Sequence, residues 1–109
     1  MKEPQLVLKI RKAAEAKYGD GIYIKKIHGG RYSAGIPDLL GCLRIEPRHD
    51  DDFGVFFAIE VKLEGKERNV TPLQQANLDA IMTACGYQTV VTSVQDALEF
   101  LDRILGEFE

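Results

Sequence analysis

The tripeptide Glu60-Val61-Lys62 closes an apolar run, Val55-Phe56-Phe57-Ala58-Ile59, and ends it on two opposite charges. In an extended strand alternate side chains share a face, so Glu60 and Lys62 project together while Val61 faces the other way. A further carboxylate, Asp38, follows Pro37 and precedes another apolar run, Leu39 to Ile45. Pairing the two runs as an antiparallel hairpin sets Asp38 opposite Glu60 or Lys62 when the connection is centred near His49 to Asp50. The stretch Pro47-Arg48-His49-Asp50-Asp51-Asp52 has the polar composition of a hairpin tip and puts the centre there independently. Two adjacent carboxylates repel, and their pKa values separate unless a cation lies between them. Mg²⁺ takes hard oxygen ligands and is commonly held by one or two carboxylates together with substrate phosphate. Asp38 and Glu60 would supply those ligands, and the Lys62 ammonium would orient water or offset charge in the transition state. The chemistry open to this set is metal-assisted phosphodiester hydrolysis.

Each residue also has a plainer use. Asp38 after a proline suits a turn, and Glu60 with Lys62 suits a surface salt bridge. The hairpin register is what sets the three together. His28 and His49 have no ligand spacing, and Asp50 to Asp52 read as a solvated loop tip.

The elements that must position these residues follow from periodicity. Leu6, Val7, Ile10, Ala13, Ala14 and Tyr18 recur at helical spacing, and Gly19 and Gly21 end the pattern, which predicts a first helix of about four turns. Ile22 to Ile27 alternates well enough for a half-buried strand. Gly29 to Gly35 reads as a flexible loop, placed with Lys25, Lys26 and Arg31 for backbone contact with phosphate. Pro37 confines Ile36 to extended conformations ahead of the strand Leu39 to Ile45, and Val55 to Lys62 gives its partner. Thr71-Pro72-Leu73-Gln74 is a helix start, with Thr as N-cap, Pro at the first helical position and Gln three after the cap. Leu78, Ile81, Met82 and Cys85 would form the buried stripe of that helix, and Gly86 its stop. Gln88 to Thr92 predicts a short strand. Ser93, with Asp96 three later, opens a last helix with the stripe Ala97, Leu98, Leu101, Ile104 and Leu105. The order α-β-β-β-α-β-α predicts one α/β domain over residues 1–109, a sheet flanked by helices.

Composition sets the outer bounds. With 109 residues, 45% hydrophobic and 28% charged, the chain has the make-up of a single globular domain. Cys42 and Cys85 are too few for a disulfide framework and sit in apolar surroundings, so they read as buried reduced thiols of a cytoplasmic protein. No apolar run is long enough to span a bilayer. The formal net charge of −3 opposes tight binding to a polyanion. Against this, Lys25, Lys26, His28, Arg31, Arg44, Arg48, Lys62, Lys66 and Arg68 are expected near the carboxylates, while acid gathers in Asp50 to Asp52 and the C-terminal third.

Gly35-Ile36-Pro37-Asp38 followed by Ile59-Glu60-Val61-Lys62 resembles the signature of the PD-(D/E)XK nuclease superfamily, and Thr71-Pro72-Leu73-Gln74 makes the chain similar to its VRR-NUC domain family. The resemblance covers nearly the whole chain. It implies a restriction-endonuclease-like core with a mixed central sheet. It also implies a Mg²⁺ or Mn²⁺ site in which Asp38, Glu60 and the backbone carbonyl of Val61 hold the metal and Lys62 assists the attacking water. By the same resemblance Gln74 matches a catalytic position and Glu3 an acidic metal-site position. Gln74 equally suits the reciprocal member of a capping box, and Glu3 a first-turn carboxylate at the helix dipole. Stand-alone members of this size are phage or bacterial proteins that dimerise and act on branched DNA such as four-way junctions. A homodimer also has a physical motive, since cutting two strands symmetrically needs two sites related by a two-fold axis. No organic cofactor and no membrane partner is expected.

Overall fold

The computed structural model describes residues 1–28 and 34–109. Most of the predicted glycine-rich loop therefore lies outside the described residues. The elements run α1 (Glu3–Tyr18), β1 (Ile22–Lys26), β2 (Leu39–Ile45), β3 (Phe53–Val61), α2 (Pro72–Thr83), β4 (Tyr87–Val91) and α3 (Val94–Gly106). This is the predicted order, with strand ends displaced by one or two residues. Lys62 falls just beyond β3, yet its N–H donates to the Val91 carbonyl at 3.0 Å and continues the pairing.

The four strands form one sheet in the order β1-β2-β3-β4. The first two pairings are antiparallel and β3-β4 is parallel, so the sheet is mixed. Every β2-β3 pair from Leu39↔Ile59 to Ile45↔Phe53 is symmetric about His49. The parallel step needs a crossover, and α2 supplies it.

Alternation divides the sheet into two unlike faces. Leu39, Leu43 and Ile45 of β2 and Val55, Phe57, Ile59 and Val61 of β3 face a core completed by Leu6, Val7, Ile10 and Ala14 of α1 and Ala97, Phe100, Leu101 and Ile104 of α3. The end of α1 is pinned to α3: Tyr18 Oη donates to Asp102 Oδ1 and Lys17 Nζ to Asp102 Oδ2, both at 2.6 Å. Asp102 is held below the ordinary carboxylate range by its hydrogen bonds from Lys17 and Tyr18.

The other face is only partly covered, by α2. Its cap forms as predicted, with Gln74 N–H donating to Thr71 Oγ1 (3.1 Å) and Thr71 N–H to Gln74 Oε1 (2.9 Å). Its predicted stripe does not close. Leu78 is buried, but Ile81 is half-exposed, Met82 is 55% exposed and Cys85 is exposed. The stop also differs: Cys85, not Gly86, takes the left-handed conformation (φ 67°). Gly86 is required for space instead, because a Cβ there would meet Ile81 and Phe56 at 2.8 and 3.0 Å. Both cysteines are exposed, contrary to the buried thiols expected. Cys42 alternates with buried Leu43 onto the less covered face, and Cys85 is carried by the turn that ends α2.

Among the described residues no helix is long and apolar enough to cross a membrane.

Gly41 marks the tightest packing in β2. A Cβ there would lie 2.1 Å from the Tyr23 carbonyl oxygen and 2.5 Å from the Phe57 ring. Backbone cannot yield as a flexible side chain does, so Gly41→Ala should lose about 3 kcal/mol, at the upper end of overpacking costs. A fall in the urea midpoint with an unchanged slope would register this.

Candidate metal and phosphodiester site

Asp38 lies one residue ahead of β2, and its backbone is tied to β1, the Ile27 N–H donating to the Asp38 carbonyl at 2.9 Å. The β2-β3 register, continued one step past Leu39↔Ile59, sets Asp38 opposite Glu60. The Asp38 side chain then reaches along β3, and Oδ2 accepts the Val61 N–H at 2.8 Å. Gly35 shapes the approach to Asp38. It takes φ 80°, and a Cβ there would lie 2.4 Å from Leu73 in the first turn of α2. The segment leading into Asp38 is thereby packed against the helix that covers Glu60's face.

Glu60 is only 2% exposed and Lys62 8%. The Glu60 pKa is raised from the ordinary 4.5 to about 9, by burial first and then by its hydrogen bond with Asp38 and the Asp38 charge, while the Lys62 charge opposes the rise. The Glu3 charge adds a smaller increase. Three predicted site residues, Asp38, Glu60 and Lys62, are therefore brought together, with Glu3 at the margin. Glu3 and Asp38 both line a pocket of about 220 Å³, together with Pro4, Val7, Lys26, Ile27, His28 and Ile36. Gln74 spends its Oε1 on the Thr71 N–H, as the capping reading requires.

Asp38, Glu60 and Lys62 thus form one charged cluster at the end of the central strand pair. No family model, curated protein or solved structure matches this chain.

The donor set is compatible with a divalent cation. Glu60 Oε2 is buried and has no hydrogen-bond partner among the described residues. A buried carboxylate oxygen without a donor is costly, and a cation or a proton would relieve it. Among the described residues no three or more His, Cys, Asp and Glu side chains converge on one metal position, so Glu3 does not complete a three-carboxylate cage with Asp38 and Glu60. Two carboxylates suffice for Mg²⁺, which keeps several waters.

The basic residues are less concentrated here than expected. Lys25 and Lys26 pair with Leu40 and Leu39, next to Asp38. Arg44 lies six residues along β2, roughly 20 Å away, and bonds to Glu46 at 3.2 Å. Arg48 sits beyond it, towards the hairpin tip. Charge counted along the sequence does not show which end of a strand it occupies.

Because the folded Glu60 pKa is raised, ionising it costs stability, and without a cation stability should fall as pH rises from about 4.5 towards 9. Glu60→Gln removes that slope. In EDTA at pH 8 the variant should be more stable than the parent by about 1–3 kcal/mol, with the gap closing near pH 5. Thermal unfolding of both proteins across that range measures it; parallel curves would refute the buried-carboxylate account.

Proposed function

We propose that this chain is a metal-dependent endonuclease of the PD-(D/E)XK type, close to the VRR-NUC pattern, that hydrolyses DNA phosphodiester bonds. The observation that carries the reading is the buried Glu60 carboxylate held beside Asp38, with one oxygen lacking a donor among the described residues and Lys62 at hand.

Asp38 and Glu60 would hold Mg²⁺ or Mn²⁺, with the Val61 carbonyl as a further ligand. When bound, the cation lowers the pKa of a water ligand and stabilises charge on the phosphoryl oxygens. The chain's own residues supply the positioning. The Val61 N–H fixes one Asp38 oxygen, which limits the rotations of that carboxylate and holds it beside Glu60. Burial keeps bulk water from screening Glu60 and Lys62, so each charge acts more strongly than it would in solvent. Lys62 orients the attacking water or offsets negative charge on the phosphate as the new bond forms. Lys25 and Lys26, beside Asp38, suit contacts to neighbouring phosphates. The acidic net charge makes affinity modest and strongly salt-dependent. The proposed substrate is branched DNA, including four-way junctions, cut by a homodimer that presents two such sites.

Incubating the protein with labelled four-way junction, flap and linear duplex, in Mg²⁺, in Mn²⁺ and in EDTA, tests this. Cleavage is expected with either metal and not with EDTA. Asp38→Asn and Lys62→Met should each lower the rate by about 10²-fold or more while keeping the circular dichroism spectrum of the parent. Full activity in folded, contaminant-free Asp38→Asn would exclude the assigned site. Binding without cleavage under every metal condition would make the chain a nucleic-acid-binding module instead.

A further inference from the structure

Among the described residues the sheet face that holds Glu60 is uncovered over its β1 half, where the Tyr23 ring lies, and the Phe56 ring stands on β3 at the border of α2, against Gly86. Tyr23 is 63% exposed and Phe56 45%. Tyr23 pairs with Cys42, and Cys42 with Phe56, so the three form one cross-strand row. Neighbouring strands are about 4.8 Å apart, which separates the ring-bearing positions by roughly 10 Å. Lys25 shares the face of Tyr23, its Nζ 5.3 Å from the ring centroid. Elsewhere among the described residues, Phe53 packs edge-to-face on Phe108, and Tyr87 donates to Glu107.

Charge along this row is graded. Lys25 lies on the side of Asp38, while Lys26, paired with core-facing Leu39, alternates to the other face; Asp20 and Asp52, together with Arg44, border the shallow pocket on the hairpin side of Tyr23. Arg44 is paired with Glu46, so Asp20 and Asp52 disfavour a polyanion beyond Tyr23, and Lys25 favours one between Tyr23 and Asp38. Cys42, the partner of Tyr23, lies four residues from Asp38, about 13 Å along the strand. That is the length of about four stacked nucleotides at 3.4 Å per step. Solvated rings on an open sheet face, with a cation alongside, suit unpaired bases, which stack on them with little regard to sequence. A base-paired duplex hides its ring faces and gains nothing there.

We propose that Tyr23 and Phe56 form a stacking platform for unpaired nucleotides of the strand whose phosphate is cut at Asp38 and Glu60, so that the substrate needs a splayed or single-stranded arm within about four nucleotides of the scissile bond. The inference rests on the nuclease reading, which the junction assay tests separately.

The sequence contains no tryptophan, so Tyr23→Trp places a lone reporter on the platform. In EDTA, a 12-nucleotide oligo-dT should quench its emission saturably, and a blunt 12-base-pair duplex should not. Tyr23→Ala should bind the labelled oligo-dT about tenfold more weakly than the parent, with duplex affinity and circular dichroism unchanged. The platform is overturned if anisotropy shows no oligo-dT binding, if oligo-dT binds while the indole emission of the Tyr23→Trp protein stays constant, or if Tyr23→Ala binds oligo-dT as the parent does. Any of these with junction cleavage intact removes the platform and spares the nuclease. Quenching and weakened Tyr23→Ala binding without cleavage in any metal remove the nuclease and keep the platform as a single-strand-binding surface.

Discussion

The hydrogen bond from the Val61 N–H to Asp38 Oδ2, 2.8 Å long, joins the architecture of the sheet to its chemistry. The β2-β3 register, carried two steps past its last pair, sets Val61 opposite Pro37. The regular ladder has already ended at Leu39↔Ile59, and Pro37, which has no N–H, cannot supply the donor of a further pair. Val61 is fully buried, and its N–H left without an acceptor would cost about 1–3 kcal/mol. The Asp38 carboxylate meets that need. The bond that closes the ladder therefore also fixes a carboxylate beside Glu60, and a change at Asp38 touches both the strand end and the site.

Glu60 then stands as the local exception in an otherwise consistent design. On the core face every β3 position from Val55 to Val61 is apolar and buried against α1 and α3. Beneath α2, in contrast, Ala58 and Glu60 are both nearly inaccessible, and one of them is a carboxylate. Packing would favour an apolar side chain there, since an ionised group is penalised by desolvation and by its neighbour Asp38. A residue that breaks the local rule, with one oxygen unpartnered among the described residues, is not explained by packing stability. The stabilising core lies on the opposite face, so the site can hold strained charge without weakening the contacts between the strands and α1 or α3.

How much of this was legible depended on whether a feature is local or requires knowing what lies across from it. The symmetry about His49 was readable because a polar tip between two apolar runs fixes an antiparallel register. The Thr71-Gln74 cap was readable because all its partners lie within one turn. The exposure of Cys42, Cys85 and Met82 was not. Each has an apolar or cysteine identity that normally means burial, and only the position of α2, which covers part of one face, leaves them in solvent. Arg44 was misplaced for a related reason: sequence proximity to Asp38 hides a separation of six extended residues. Glu3 is intermediate, because its place at the start of α1 was readable but its relation to Glu60 depends on how α1 packs on the sheet.

The partial cover of that face also constrains the size of what can be bound. Pockets that enclose a small molecule usually measure about 300–1,000 Å³ and bury most of the ligand. The pocket bounded by Glu3, Lys26, His28 and Asp38 is about 220 Å³. A larger cleft, about 700 Å³, is lined by Phe53, Phe56, Ile81 and Cys85 and lies at the other end of β3, away from the carboxylates. On the nuclease reading, a ligand at Asp38 and Glu60 would present a small group, such as one phosphodiester, and leave the rest of itself on the surface. The open half of the face, bordered by Lys25 and the exposed Tyr23 ring, is where that remainder would lie. A polymer meets this requirement directly, because its binding can be spread over several exposed contacts while a single unit enters the site.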